Sequence, residues 1–312
     1  MAQQSEWLHE VLLGVVRSVE PTAAQKEGAS RSQTAIREAL DSGNIGRRIL
    51  DEFLIGSYAR HTAIAPLDDV DIVFLIDPKE WPVGMFETLP SPEKVLNTFE
   101  SAIRLRYPNS QVVKQRRSIG LQMNHLAIDA VPAIKTEREH YLKIPDRDEG
   151  EWILTAPQLH SQLATDVNKL RGAWFKPLVK ILKNWNASLP DGSRLKSFTI
   201  ETMALRIFNE TAFVDLFDGA LKFFDFLSDA FSEKAEFVWE DDFGVELAWH
   251  QSYSVLDAVG LDTNLVAGLS ESRRTGFLGA AHRSRNGLLK ASRARSDETA
   301  REHLFRALRS ED

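Results

Sequence analysis

Acids set inside apolar runs are the residues of this chain best placed to do chemistry. Asp69-Val70-Asp71 opens the run Ile72-Val73-Phe74-Leu75-Ile76, whose β-branched and aromatic members favour a buried strand over Val70 to Ile76. Side chains alternate along a strand, so Asp69 and Asp71 share one face. Two carboxylates held side by side at the edge of a core repel each other, and are costly unless something positive sits between them. A divalent cation is the simplest such partner, and Mg²⁺ prefers carboxylate oxygens together with substrate phosphates. A second apolar run, His125 to Ala133, has a single acid in its middle, Asp129. By residue type alone, Asp129 fits either an ion site or a pairing with a buried Arg. Upstream lies Gly56-Ser57, a turn that allows close backbone approach, with a hydroxyl that can donate to an anion. Each piece alone also fits a solvated hairpin at Pro66-Leu67-Asp68-Asp69.

The combination is more specific than its parts. Gly-Ser followed by Asp-x-Asp, in the stretch GSYARHTAIAPLDDVDIVFLID from Gly56 to Asp77, resembles the active-site motif of the DNA polymerase β-like nucleotidyltransferases. The resemblance implies that Gly56 and Ser57 open a helix whose N-terminus cradles a triphosphate, a task suited to free N–H groups and the helix dipole. It implies a third acid on a neighbouring strand ending in Val-Pro, which here is Asp129. Asp69, Asp71 and Asp129 are then the catalytic and metal-binding residues, expected to hold two Mg²⁺ ions, with Mn²⁺ as a substitute. In that reading one ion held by all three acids activates a sugar hydroxyl. A second, held by Asp69 and Asp71, carries the triphosphate and the departing pyrophosphate. Asp129 is also the candidate to accept the hydroxyl proton.

The second half narrows the family. The helical stretch Pro177 to Asn186 (PLVKILKNWN), followed by Leu195 to Thr202 (LKSFTIET), resembles the cGAS/DncV-like nucleotidyltransferases, the cyclic-oligonucleotide synthases of bacterial anti-phage systems. Carried over residue by residue, Lys183 and Ser197 hold the triphosphate and Phe198 stacks on a base. The residues taken singly leave other readings open. Lys180 and Lys183 also fit one solvated helix face, Ser197 fits a plain N-cap with Glu201 near capping-box range, and Phe198 fits the core. The resemblance covers roughly residues 45 to 290. It takes in a linker, Tyr141 to Gln158, and more weakly Ser254 to Asp262 with Asn264, where the family's "Asp-Pro-x-x-Asn-Asn" lacks its Pro and one Asn.

Elements that position these residues follow from periodicity. Helices are expected over 3–16, 22–43 and 92–107, with strands over 50–55, 70–76, 111–114, 119–123 and 125–133 in one mixed sheet. From Pro157 onward the pattern is helical, over 158–172, 175–188, 197–210, 213–230, 265–292 and 296–308. Asp77 to Pro92 reads as an exposed, Pro-rich loop. The expected fold is α+β: residues 1–155 form a nucleotidyltransferase core with N-terminal spine helices, residues 156–312 a helical lobe, and a cleft between them holds nucleotide.

Composition bounds the rest. At 312 residues the chain can bury a sizeable core. It has no cysteine, which excludes disulfides and thiolate zinc sites. No long apolar run suggests a membrane span, and acids at Glu6 and Glu10 argue against a signal peptide, so a cytoplasmic location is expected. The net charge of −7 argues against general duplex nucleic-acid binding. Basic residues gather between Arg273 and Arg309, and again at Lys114, Arg116 and Arg117. The expected partners are ATP and other nucleoside triphosphates, an activator protein as an open option, and a separate effector that receives the product. The leading expectation is a cyclic di- or trinucleotide synthase releasing pyrophosphate in anti-phage defence. The alternative is a transferase of the same fold acting on a small molecule, protein or RNA end. A catalytically silent nucleotide sensor is disfavoured, since it would have no reason to keep three mutually repelling acids.

Overall fold

The computed structural model describes residues 2–43, 45–84, 87–123, 126–229, 254–261 and 263–309. His125, residue 230 and Asp262, named above, lie outside them. The chain divides into two compact units, Pro21–Ser161 and Met1–Glu20 with Gln162–Asp312.

The first unit is built on a mixed sheet. Helix α2 (Ala23–Ser42), the second in the chain, starts at a capping box in which Thr22 and Gln25 satisfy each other's backbone N–H. Strand β1 (Ile49–Ile55), the one-turn helix α3 (Gly56–Ala59) and strand β2 (Asp69–Ile76) follow. Helix α4 (Pro92–Arg106) has Ser91 as its cap and Pro92 in its first turn. Strands β3 (Val112–Lys114), β4 (Ile119–Gln122) and β5 (Ala127–Lys135) complete the order β1-β2-β5-β4-β3. Only the β2–β5 pairing in that row is parallel.

The two faces of this sheet are buried unequally. Val70, Ile72, Phe74 and Ile76 pack with Ile36 and Leu40 of α2 and with Val95, Leu96 and Phe99 of α4. Each such side chain withdrawn from water contributes about 1.5–3 kcal/mol. On the other face Val73, Leu75, Val131, Ala133 and Leu142 form a much smaller cluster. Alternation puts Asp69, Asp71 and Asp129 on this thinly covered face.

The second unit is helical: α1 (Ala2–Val19), most of α5 (Pro157–Leu170), α6 (Phe175–Ser188), α7 (Ser197–Glu210), α8 (Leu216–Asp229), α9 (Glu271–Ser292) and α10 (Asp297–Leu308). Its core is aromatic, with Phe175, Trp185, Phe208, Phe223, Phe224 and Phe277 fully buried. The indole of Trp185 donates to Ser284 Oγ at 2.8 Å, and Ser284 donates to Ala307 O at 2.7 Å, so this buried polar chain is satisfied.

Several expectations are corrected. The first helix groups with the helical unit rather than with residues 21–155, because Leu8, Leu12 and Val15 are part of that unit's apolar core. The segment read as a linker contains a hairpin, β6 (Leu142–Asp146) and β7 (Glu151–Thr155), with β6 paired to the end of β5. Its charged tip, Arg147 to Gly150, had hidden the strand alternation. The segment 77–92 is not uniformly exposed: Trp81 is buried and stacks near Phe99. The helix expected from 265 starts at Glu271, since Asn264 Oδ1 accepts from Val255 N and Val266 N, and Ser270 then caps α9.

Candidate active site

Strand pairing decides which carboxylates meet. Ile55 lies opposite Asp71, Asp71 beside Asp129, and Asp129 opposite Gly120, one row across β1, β2, β5 and β4. Neighbouring strands lie roughly 5 Å apart and alternate residues on a strand roughly 7 Å apart. Asp69, Asp71 and Asp129 therefore form a compact triangle on one face. Asp69 is exposed, while Asp71 and Asp129 are half-buried.

Electrostatics follow from that triangle. Burial, then the charges of Asp69 and Asp129, push the Asp71 carboxyl up to about 7, with Arg60 opposing the rise. Burial and Asp69 raise Asp129 to about 6, opposed by hydrogen bonds from Gln115 and Ser118. Crowding by surrounding protein, then Asp68, also raises Asp69. Among the described residues, no group of three His, Cys, Asp or Glu side chains is already converged to hold an ion. The donor set nonetheless fits a hard divalent cation by its chemistry: oxygen ligands only, on one face, each made less acidic by burial and by a like charge.

Two glycines clear space for these acids. Gly56 has φ of +71°, and a Cβ there would lie 2.1 Å from Asp71 Oδ2. Any other residue would be strained in the backbone and would collide with the carboxylate. A Cβ at Gly120 would lie 2.8 Å from Gln115 Nε2 and 3.1 Å from Asp129 Oδ1. Ser57 follows Gly56 in the single turn of α3.

Sequence reasoning missed Gln115. Its amide donates to Asp129 Oδ1 at 2.8 Å and its carbonyl accepts from Ser118 Oγ at 3.1 Å, so Asp129 is oriented from the side. No local motif marks it, because Gln115 and Asp129 meet only through β4–β5 pairing. The option of a buried Arg pairing with Asp129 is not realised among the described residues. Arg116 and Arg117 instead bind the buried Asp146, with Arg116 Nε 2.6 Å from Oδ1.

Lys183, Ser197 and Phe198 belong to the helical unit. Lys183 is not on a solvated face: it is 3 % exposed and donates to Glu201 Oε2 at 2.6 Å, with Glu201 fully buried. Lys180 pairs with Glu20. Lys176, unremarked in the sequence, continues this row along α6; burial lowers its pKa, Glu201 opposes that, and Lys180 adds to it. Ser197 is the first residue of α7 rather than its cap, Lys196 being the N-cap, and Ser197 is exposed. Phe198 is partly buried.

Comparison with known proteins shows the family and the fold. Residues 8–168 match the family described as Second Messenger Oligonucleotide or Dinucleotide Synthetase domain. A cyclic AMP-AMP-AMP synthase of an Acinetobacter species is 31% identical over 209 residues, which is 63% of this chain and 57% of that protein. The chain thus spans little more than half the length of that relative. The structure of E. coli MS115-1 CdnC with ATP superposes with a TM-score of 0.77 at 17% identity, covering 97% of each chain. Vibrio cholerae DncV, a cyclic AMP-GMP synthase solved with a linear intermediate, gives 0.70 at 12% identity, covering 94% of this chain and 92% of that one. At such identities the structural likeness shows the fold, a mixed sheet with flanking helices.

Proposed function

Because this chain belongs to the family of Second Messenger Oligonucleotide or Dinucleotide Synthetase domains, we propose that it condenses nucleoside triphosphates into a cyclic di- or trinucleotide, releasing pyrophosphate. The observation that carries the reading is the row across the sheet: Asp71 beside Asp129, with Asp69 on the same face and Gly56 clearing the space over Asp71. Asp69, Asp71 and Asp129 are the residues that would hold divalent metal, as enzymes of this family generally use it. When bound, such an ion lowers the pKa of the attacking hydroxyl and offsets charge on the transferring phosphoryl group and leaving pyrophosphate.

The chain's own residues do the remainder. Gly56 lets the backbone approach the triphosphate, and Ser57 donates a hydrogen bond to it. Gln115 fixes the Asp129 carboxylate toward the sugar hydroxyl, whose proton Asp129 accepts. Ser197 offers a hydroxyl at the first turn of α7, and Phe198 a π-face for a base. Lys183 supplies charge to the triphosphate while Glu201 holds its ammonium in place.

ATP is proposed as a substrate because AMP is common to the products of related synthases: cyclic AMP-AMP-AMP, UMP-AMP and AMP-AMP-GMP. A protein partner belongs to the proposal because E. coli CdnC was solved in complex with a HORMA protein. The product would act on a separate effector in anti-phage defence. No helix among the described residues is long and apolar enough to cross a membrane.

The test is incubation of the purified chain with labelled ATP, GTP, CTP and UTP and Mg²⁺ or Mn²⁺, phosphatase treatment, and mass spectrometry. A phosphatase-resistant cyclic product supports the reading. A mononucleotide adduct on a small molecule, protein or RNA end replaces it with the alternative transferase.

A further inference from the structure

The helical unit contains a cavity of about 280 Å³ beside the start of α7. Lys196 and Thr199 line it. On a helix, residues three and four apart share a face. Lys196 and Thr199 therefore lie on one side of the first turn, and Ser197 and Glu201 on the opposite side. The cavity is thus separate from the Lys183–Glu201 pair and from Ser197.

Its lining is suited to an anion. Helix α7 starts without any side-chain cap, its N-cap being Lys196, so first-turn amides have no side-chain acceptor. Arg273, in the first turn of α9, lines the cavity from the other wall. The start of α7, with the positive end of its dipole, and the Arg273 side chain therefore face the same cavity, while the start of α9 itself is capped by Ser270. The side chains of Lys196 and Arg273 form no ion pair or hydrogen bond among the described residues. Asp191 and Arg194 also line it and are engaged: they pair with each other at 3.3 Å, and Arg194 donates to Ala187 O at 2.7 Å and Leu189 O at 2.8 Å. Thr199 is 2 % exposed, and its hydroxyl has no hydrogen-bond partner among the described residues. Set in the cavity wall, that hydroxyl can donate to an anion there. Leu195 and Val266 add apolar wall.

We propose that this cavity binds a small phosphomonoester. Its phosphate lies between Lys196 and Arg273, over the α7 amides and the Thr199 hydroxyl, and its carbon skeleton lies against Leu195 and Val266. None of these residues is in the proposed catalytic set, so the site stands or falls independently of that reading.

Titration calorimetry with inorganic phosphate tests it, using the full chain without nucleotide or metal. The expected result is one saturable site, weakened about 100-fold by Lys196→Glu with Arg273→Glu, since two charge-assisted contacts are reversed. Thr199→Val, close to isosteric, is expected to weaken binding several-fold, and serves if the double variant does not fold. Ser57→Ala with Ser197→Ala is expected to leave the affinity unchanged. Loss of binding in that last variant would assign the phosphate to the triphosphate residues and overturn the proposal. So would unaltered binding in Lys196→Glu with Arg273→Glu, or no saturable binding up to about 10 mM.

Discussion

Lys183 with Glu201 in the helical unit, and Asp69, Asp71 and Asp129 in the sheet unit, are both clusters of charge drawn out of water, yet they are balanced in different ways. The lysine and glutamate neutralise each other at 2.6 Å and are almost wholly buried. At the three aspartates burial, and then repulsion among them, outweighs Arg60, Gln115 and Ser118, and the carboxyl is raised to about 7 at Asp71 and to about 6 at Asp129. A matched pair is complete within the chain and holds two helices in register. An unmatched trio is complete only when positive charge arrives from outside. The mismatch is why the trio, unlike the pair, calls for a cation. Asp146 makes the same point from the other side: more deeply buried than any of the three, but bound by Arg116 and Arg117, its carboxyl stays below the usual range.

The comparison can be broken by substitution. The largest effect is expected from Asp69→Asn with Asp71→Asn, which should lower product formation by at least about 1,000-fold while the circular dichroism spectrum is unchanged. Turnover in that variant would remove the trio from the chemistry.

Next in size is Glu201→Ala. It leaves Lys183 buried without its counter-charge and should cost about 3–5 kcal/mol of stability. Lys183→Met with Glu201→Leu should recover most of that loss in a denaturant titration and yet raise the KM for nucleoside triphosphate. If the double variant keeps its KM, the pair is structural alone.

A smaller effect is expected at Gln115. Gln115→Ala frees the Asp129 carboxylate and should reduce kcat about ten-fold with little change in KM, whereas a merely structural role would lower the melting temperature and leave kcat alone.

The smallest effect is in metal-free protein. A folded-state carboxyl raised above its unfolded value binds more protons than the unfolded chain does between about pH 4 and 7. Stability therefore falls as pH rises through that window. Asp71→Asn should flatten this dependence and raise the melting temperature at pH 8 by several degrees. A parent curve that is level from pH 5 to 8 would mean that the three acids do not interact.

Much of this site was legible in the order of residues. Asp-x-Asp before five apolar residues dictates a strand with two acids on one face, since alternation is a property of any extended chain. Gly56 and Asp129 were marked by type against context. The hairpin of β6 and β7 was missed because its alternation is short and broken by a charged turn. Gln115 was missed because nothing near it in sequence marks it, and Glu201 was read only as near capping-box range of Ser197, its pairing with Lys183 being invisible along the chain.

What the sequence by itself determined is therefore local: which residues bear charge, which runs must be strands or helices, and which acids share a face. Tertiary structure alone decided the partners. The β2–β5 register sets Asp71 beside Asp129, the β4–β5 register brings the turn between β3 and β4, and Gln115 with it, to Asp129, and α6 against α7 sets Lys183 on Glu201. The physical reason is range. Backbone alternation acts between neighbours, whereas the charge on a buried carboxylate is settled by whatever the packed chain brings within a few ångströms of it.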